Sequence, residues 1–274
     1  MSLVDIGVNL TNNRFAVDRI QVLARARDAC VASCLITGTS LEDSEQAAAL
    51  CRELSDAFPG MLYCTAGVHP HEATTFTDTT YDALRTLIDQ NPNTVVAVGE
   101  TGLDFNRNFS PRREQISAFE RQIQLAIDCQ LPLFLHERDA HAVQYEILKS
   151  VGSALPPGVI HCFTGNLEAL FHYLDMGFYI GITGWICDER RGSELQSLVT
   201  QIPQERLLIE TDAPYLLPRT LRHRPANSRN EPAYLTEIAN VLARCRNEPV
   251  AEVIGASSEN AKRLFRLKNR LSGK

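Results

Sequence analysis

The most informative stretch of the sequence is Val95-Val96-Ala97-Val98-Gly99-Glu100-Thr101-Gly102-Leu103-Asp104. Small and β-branched apolar residues lead directly into a carboxylate and a glycine-containing loop. A segment that is apolar at every position is typical of a strand buried on both faces, as in a parallel sheet. We expect this strand to end at Glu100. A charge at the end of a buried strand is costly unless it is paired or binds a metal ion, so Glu100 is the first candidate site residue.

The same arrangement recurs three times downstream. The runs are Leu133-Phe134-Leu135-His136, Val159-Ile160-His161 and Leu207-Leu208-Ile209-Glu210-Thr211-Asp212. Each begins with apolar residues and finishes on a histidine or an aspartate. We therefore expect four polar side chains at the ends of four buried strands.

Strand-like and helical patterns alternate along the whole chain. Strands are predicted over 4–8, 31–37, 62–67, 95–100, 132–136, 158–162, 178–182 and 206–211. Helices are predicted over 13–29, 41–57, 79–90, 111–129, 138–151, 167–176, 192–201, 232–245 and 249–266. Eight βα units predict an α/β protein built as one (β/α)8 TIM barrel, a single domain over 1–274. A doubly wound open sheet is the alternative.

The composition limits the functional classes. The 274 residues are 44% hydrophobic and carry a formal net charge of −6, which argues against coating of nucleic acid by global attraction. A local basic patch on a nucleic-acid enzyme is still allowed. We expect no membrane span and no secretory signal, because no apolar run is long enough and the N-terminus lacks a basic region. Eight cysteines without a C-x-x-C pair indicate reduced thiols in a cytoplasmic protein, which we expect to be a monomer.

The predicted barrel places the polar strand ends together. In a (β/α)8 barrel the C-terminal ends of all strands face one side, where active sites are built. Glu100, His136 and His161 end strands four, five and six, and Asp212 belongs to strand eight. Each residue alone has a structural explanation, as an ion-pair partner or a hydrogen-bonded histidine. Their coincidence favours a mixed nitrogen and oxygen site for a divalent metal ion.

Basic residues follow several of the same strands. The segment Pro218–Asn230 contains four arginines, including Arg229, and no acid, and Arg138 follows strand five. His69 and His71 lie on a loop after strand three, as ligands, phosphate donors or incidental surface residues. Arginine is the usual phosphate donor, and a metal ion beside arginines suits phosphodiester hydrolysis. The alternative is a solvated charged loop.

Several short motifs carry a resemblance to a known family. They are Asp5–Leu10, Leu35–Thr39, Ala66–His71, Gly99–Phe105, His136 with Arg138–Ala140, His161–Gly165, Tyr179–Trp185, Glu210–Leu216 and Arg229–Pro232. Together they resemble the TatD family of metal-dependent hydrolases, over nearly the whole predicted barrel. The resemblance implies a barrel of the amidohydrolase type and a Mg2+-dependent deoxyribonuclease. The implied action is 3′→5′ exonuclease cleavage of single strands, DNA or RNA, in DNA repair or degradation.

The resemblance also implies roles for individual residues. The metal positions of the family fall on Glu100, His136 and His161, and its strand-eight acid falls on Asp212. One departure concerns the first strand, where Gly7 and Asn9 stand at the places of an H-x-H motif. We therefore expect a single ion, or a weakly held second one. Oxygen-rich coordination favours Mg2+ over Zn2+, with other divalent cations possible.

The resulting hypothesis assigns each residue a task. Glu100, His136 and His161 hold the ion, with Asp212 as a further ligand or as the general base, so that Glu100 and Asp212 are the catalytic residues. Phosphate contacts are assigned to His69, Arg138 and Arg229. The alternatives are a small-substrate metal-dependent amidohydrolase or esterase, and a partner-binding protein on a degenerate barrel.

Overall fold

The computed structural model describes residues 2–268 and shows eight parallel strands, hydrogen-bonded to one another in chain order. The strands are β1 (Leu3–Val8), β2 (Val31–Ile36), β3 (Leu62–Ala66), β4 (Val95–Asp104), β5 (Leu133–Arg138), β6 (Gly158–Ile160), β7 (Tyr179–Ile182) and β8 (Leu207–Ile209). The helices are α1 (Arg19–Asp28), α2 (Leu41–Glu53), α3 (Asp78–Gln90), α4 (Arg112–Cys129), α5 (His141–Val151), α6 (Leu167–Asp175), α7 (Ser193–Leu198), α8 (Leu235–Arg246) and α9 (Val250–Phe265). The predicted (β/α)8 TIM barrel is confirmed.

Some element boundaries differ from the prediction. The helix predicted over 13–29 is divided, because the Asn12 side chain caps a separate 3-10 turn at Asn13–Phe15 and α1 begins only at Arg19. Strand β4 does not end at Glu100, since its last four residues pair with β5 and carry it to Asp104. Among residues 2–268, no helix is both long and apolar enough to cross a membrane.

The barrel closes where β1 meets the segment after β8. Val8 and Ala213 form an isolated parallel bridge. Next to it, the amide of Asp212 donates to Gly7 O at 2.8 Å, and the amide of Asn9 donates to Ala213 O at 2.7 Å. These bonds leave few unpaired groups at the edges of the two strands and bring the first and last strands into one seam.

The barrel interior is a packed core rather than a channel. Every strand contributes a buried apolar side chain to it, and Leu264 and Phe265 at the end of α9 pack on the same cluster. The strand residues are Val4, Ile6, Leu35, Tyr63, Val96, Ala97, Phe134, Val159, Tyr179 and Leu208. A second, larger apolar cluster fills the layer between sheet and helices. Because the interior is full, chemistry is confined to the open end formed by the strand C-termini.

Candidate metal centre

Two glycines bring β4 against β5 at the site. Gly99 and Gly102 have φ angles of 147° and 138°, which side chains rarely adopt. A Cβ atom at these positions would lie 2.2 Å from Phe134 O and 2.0 Å from His136 O. The register between the strands also shifts here. Only glycine fits this close approach, which sets Glu100 beside His136.

Three imidazoles converge on one carboxylate oxygen. Glu100 Oε1 lies 2.9 Å from His136 Nδ1, 2.9 Å from His161 Nε2 and 3.3 Å from His69 Nε2. Glu100 and His161 are both buried. The structure thus brings together the three residues predicted from strands four, five and six, and adds His69 from the loop after β3.

The donor set fits a divalent metal ion. His69, Glu100 and His136 offer ligand atoms that all lie within 4.8 Å of one another. Within residues 2–268, His136 Nε2 is buried and has no hydrogen-bond partner. A buried polar atom without a partner is costly, and a metal ion is one means of satisfying such a group. Imidazole nitrogen suits zinc and other transition metals, and carboxylate oxygen suits Mg2+ and Mn2+, so the mixed donor set fits a divalent cation without selecting one.

Charge in the cluster is arranged around Glu100. Burial alone would raise the pKa of Glu100, but the charge of His161 and the hydrogen bonds from His136 and His161 hold that pKa well below its usual range. Burial disfavours a charged His161, yet the charges of Glu100 and Glu210 raise its pKa well above its usual range. Burial lowers the pKa of His69 to about 4, against the charge of Glu100. His69 is therefore neutral at pH 7, as a metal ligand must be, and a bound cation would compete with the proton on His161.

Glu210 supports His161 from the opposite side. This fully buried carboxylate places Oε2 3.2 Å from His161 Nδ1, and its Oε1 accepts a hydrogen bond from the amide of Cys162 at 2.6 Å. A Cβ atom at Gly7 would lie 2.3 Å from Glu210 Oε2. The carboxylate thus fills the space that a strand-one side chain would need, which accounts physically for Gly7. Sequence reasoning missed Glu210, although it directly follows the apolar run of β8.

Asp212 lies at the same end of the barrel. Its Oδ1 accepts a hydrogen bond of 2.9 Å from Asn9 Nδ2, so the Asn9 side chain orients the carboxylate. Burial raises the pKa of Asp212 to about 7, with the charge of His161 opposing and that of Glu100 adding to the shift. A carboxylate with this pKa can accept a proton near pH 7.

Asp104 forms a further layer behind His136. Its Oδ2 atom lies 2.7 Å from His71 Nε2 and 3.6 Å from His136 Nε2, and the residue is only 1% exposed. Asp104 was not predicted as a site residue, whereas His71 was considered as a ligand, a phosphate donor or an incidental surface residue. Pairing with β5 extends β4 past Glu100, so that Asp104 is a second buried carboxylate at the end of this strand.

A family model described as TatD related DNase matches residues 4–266. The chain belongs to this TatD-related family. Two curated relatives carry the name 3'-5' ssDNA/RNA exonuclease TatD. The protein from Pantoea sp. strain At-9b is 52% identical over 266 residues, covering 97% of this chain and all of the relative. The protein from Pectobacterium atrosepticum is 49% identical over 265 residues, with the same coverage.

Solved structures agree with the TatD assignment. A TatD-family hydrolase from Entamoeba histolytica superposes with a TM-score of 0.90 at 28% identity, covering 98% of this chain and 99% of the other. A TatD homologue from Escherichia coli K12 gives a TM-score of 0.86, also at 28% identity, with 97% and 98% coverage. The predicted TatD-family hydrolase, with nuclease function, is confirmed.

The residues predicted to contact phosphate in this TatD-family chain have different surroundings. His69 belongs to the imidazole cluster, and Arg138 is exposed at the end of β5. Arg229, in contrast, is buried, and its guanidinium donates to both Asp18 carboxylate oxygens and to Glu231 Oε1, each at 2.7 Å. These carboxylates occupy both Nη groups of Arg229, so the structure gives it an ion-pair role instead of the predicted phosphate contact.

The arginines of the basic segment and Trp185, near the open end of the barrel, also differ in their exposure to solvent. Within the basic segment Pro218–Asn230, Arg219 lies 3.6 Å from Asp188, whereas Arg222 and Arg224 are exposed. Trp185 is half-buried and packs against the apolar cluster between the sheet and the helices. The exposed arginines supply positive charge at this end of a chain that is acidic overall.

Proposed function

We propose that this chain is a metal-dependent 3′→5′ exonuclease that hydrolyses single-stranded DNA and RNA. The observation that carries the proposal is the convergence of three imidazoles on Glu100 Oε1 at the open end of a TatD-family barrel. The name of the relatives, which are about half identical over their full length, supports the substrate class. We further propose a monomeric, single-domain, cytoplasmic enzyme with a role in DNA repair or degradation.

The metal ligands are proposed from the same geometry. Glu100, His136 and His161 hold the ion, with His69 completing the set in place of its predicted phosphate contact. When bound, the ion polarises the scissile phosphate and lowers the pKa of a water molecule. We propose Mg2+ as the physiological ion. Oxygen donors favour Mg2+ or Mn2+ whereas imidazoles favour Zn2+, so the activity of metal-stripped protein with each ion tests this choice.

Asp212 is proposed as the general base. Its pKa of about 7 allows it to take a proton from the attacking water at neutral pH, and the hydrogen bond from Asn9 Nδ2 fixes its orientation. Arg138, exposed at the end of β5, is proposed to contact phosphate of the bound strand.

The test is a labelled single-stranded oligonucleotide cleaved with Mg2+ and then with EDTA, with the product ladder read from each end. Glu100→Gln keeps the side-chain shape but removes its charge, and we expect it to lose most of the activity and the bound metal measured by elemental analysis. Glu146→Gln on α5 is the matched control, because this glutamate is exposed and far from the cluster in the fold. Wild-type rates for Glu100→Gln at saturating Mg2+ would contradict the assignment.

Salt dependence separates this proposal from a small-substrate amidohydrolase or esterase. A protein that neutralises phosphates along a strand releases counterions, so its affinity falls steeply as salt rises. We expect KM for an oligonucleotide to increase several-fold between about 50 and 200 mM salt. A KM that is independent of salt would favour the small-substrate alternative.

A further inference from the structure

We propose that Phe109 forms a subsite that stacks on a nucleobase of the bound strand, next to the metal centre. This inference rests on the proposed nuclease function and adds a specific recognition residue to it. Phe109 lies in the loop between β4 and α4, and 66% of its surface is exposed. It is thus a large apolar side chain displayed to solvent at the open end of the barrel.

A continuous row of rings connects Phe109 to the metal cluster. The ring centroids of Phe109 and His71 are 4.7 Å apart, those of His71 and His69 are 4.3 Å apart, and those of His69 and His136 are 4.5 Å apart. All three contacts have the edge-to-face geometry that aromatic pairs favour. Phe109 forms the exposed end of this row, and His136 at the other end contacts Glu100. A base stacked on Phe109 therefore lies within a few ring widths of the reacting phosphate.

The loop that carries Phe109 is held by many hydrogen bonds. Asp104 Oδ1 accepts from the amides of Asn106 and Arg107 at 3.0 and 2.9 Å. The buried Gln115 side chain donates to Ser110 O at 2.9 Å. Such a loop presents its aromatic ring in a fixed position rather than letting it collapse on the surface. Pre-organisation of this kind reduces the entropy lost when a ligand binds.

Two further contacts fit a nucleic-acid ligand. Ser110 Oγ donates to His71 O at 2.8 Å, which couples the loop to the segment carrying the imidazoles. The exposed guanidinium of Arg107 lies 5.9 Å from the Phe109 ring centroid, so a positive charge for phosphate adjoins the aromatic face. Aromatic rings beside basic groups are the usual means of binding single strands without sequence preference.

The first experiment compares Phe109→Ala with the wild type on single-stranded oligonucleotides. We expect KM to rise roughly 10-fold, with kcat within about twofold, because the ring positions the strand but does not touch the reacting phosphate. Phe109→Trp should restore KM. Phe171→Ala is the matched control, since Phe171 is also an exposed phenylalanine, 43% accessible, but lies on α6 in the outer layer. A Phe109→Ala enzyme with wild-type KM would overturn the proposal.

The second experiment locates the base. Oligonucleotides carrying one abasic site at successive positions from the 3′ end are cleaved by the wild type and by Phe109→Ala. At the stacked position, loss of the base should raise KM for the wild type and leave KM of the variant unchanged. Equal effects of Phe109→Ala on all oligonucleotides, intact and abasic at any position, would indicate a merely structural role and overturn the subsite.

Binding in EDTA separates the two proposals. A fluorescent oligonucleotide should bind the wild type roughly 10-fold more tightly than Phe109→Ala without any cleavage. Equal dissociation constants would refute the stacking subsite. A wild type that binds through Phe109 but cleaves no strand with any divalent ion would refute only the proposed nuclease function.

Discussion

Replacement of Gly7 by alanine tests whether the Glu210 carboxylate fills the space that a side chain on strand β1 would need. The new Cβ atom would lie 2.3 Å from Glu210 Oε2 and 3.4 Å from Phe134 Cζ, both buried. The conflict comes from the contact and not from the backbone, because Gly7 is not among the residues with positive φ. The Glu210 carboxylate must therefore move.

The size of the effect follows from the bonds that Glu210 makes. Restoring an ordinary contact requires a shift of roughly 1 Å, which breaks the 3.2 Å hydrogen bond between Glu210 Oε2 and His161 Nδ1. Loss of a hydrogen bond to a charged group costs about 2 kcal/mol, or a melting temperature lower by roughly 4–8 °C. A ligand histidine that loses its orienting carboxylate typically binds metal about 10–100-fold more weakly.

Three measurements check this expectation. They are thermal unfolding of the metal-free protein, titration calorimetry with Mg2+ and Mn2+, and cleavage of a single-stranded oligonucleotide. Gly255→Ala in α9 is the matched control, because a Cβ atom there meets no atom within 4 Å. In a helix this change should be neutral or stabilise by up to about 1 kcal/mol.

A double-mutant cycle with Glu210→Ala isolates the contact. Without the Glu210 side chain, Gly7→Ala should cost almost nothing, so the two substitutions should be strongly non-additive. Additive costs, or a Gly7→Ala variant with unchanged melting temperature and metal affinity, would refute the reasoning.

Three further predictions concern buried charges. Burial raises the pKa of Asp5 to about 7, so the folded protein keeps a proton that the unfolded chain has released. The free energy of unfolding is therefore highest below about pH 4 and falls as the pH rises through 7. Relative to wild type, Asp5→Asn should therefore gain roughly 2–4 kcal/mol of unfolding free energy between pH 4 and 8, measured with denaturant. Asp104→Asn should lower the affinity for a divalent ion roughly 10-fold in calorimetry, because it removes a buried negative charge 3.6 Å from His136 Nε2. Arg229→Met should cost about 2 kcal/mol in denaturant unfolding, because Asp18 and Glu231 lose their bonds to Arg229 and keep only Arg25 as a partner among residues 2–268, with KM for an oligonucleotide within about twofold.

Each of these has a clear contrary outcome. Equal pH dependence of stability in wild type and Asp5→Asn would mean that Asp5 does not retain a proton. Metal affinity unchanged by Asp104→Asn would mean that the charge of Asp104 does not contribute to binding of the ion. A large increase in KM without loss of stability in Arg229→Met would restore the phosphate contact first predicted from the sequence.

The sequence predicted the barrel and the residues at its strand ends because both depend on local patterns. Apolar runs of strand length, each followed by a helix, are sufficient to order the strands, and the barrel then brings the run ends together. Glu100, His136 and His161 were located in this way. In the structure, Glu100 Oε1 lies 2.9 Å from both His136 Nδ1 and His161 Nε2.

What the sequence did not predict depends on contacts between distant segments. The basic segment after β8 contains no acid, yet Arg229 pairs with Asp18, which is 211 residues away. Pairing with β5 extends β4 to Asp104, although the last residues of this strand include glycine and polar side chains that read as a loop. The contact between Glu210 and Gly7 likewise joins segments that are far apart in the sequence. Such side-chain partners follow from packing, which periodicity does not encode.

The seam between β1 and the segment after β8 has a consequence for the newly made chain. Asn9 and Asp212, joined there by a hydrogen bond, are 203 residues apart, so the seam forms only after the chain has been synthesised beyond Asp212. Until then, Glu100 and its imidazoles lack the proposed general base. We therefore expect ribosome-bound or C-terminally shortened chains that stop before Asp212 to be inert toward nucleic acid, and nuclease activity to emerge only at the end of folding.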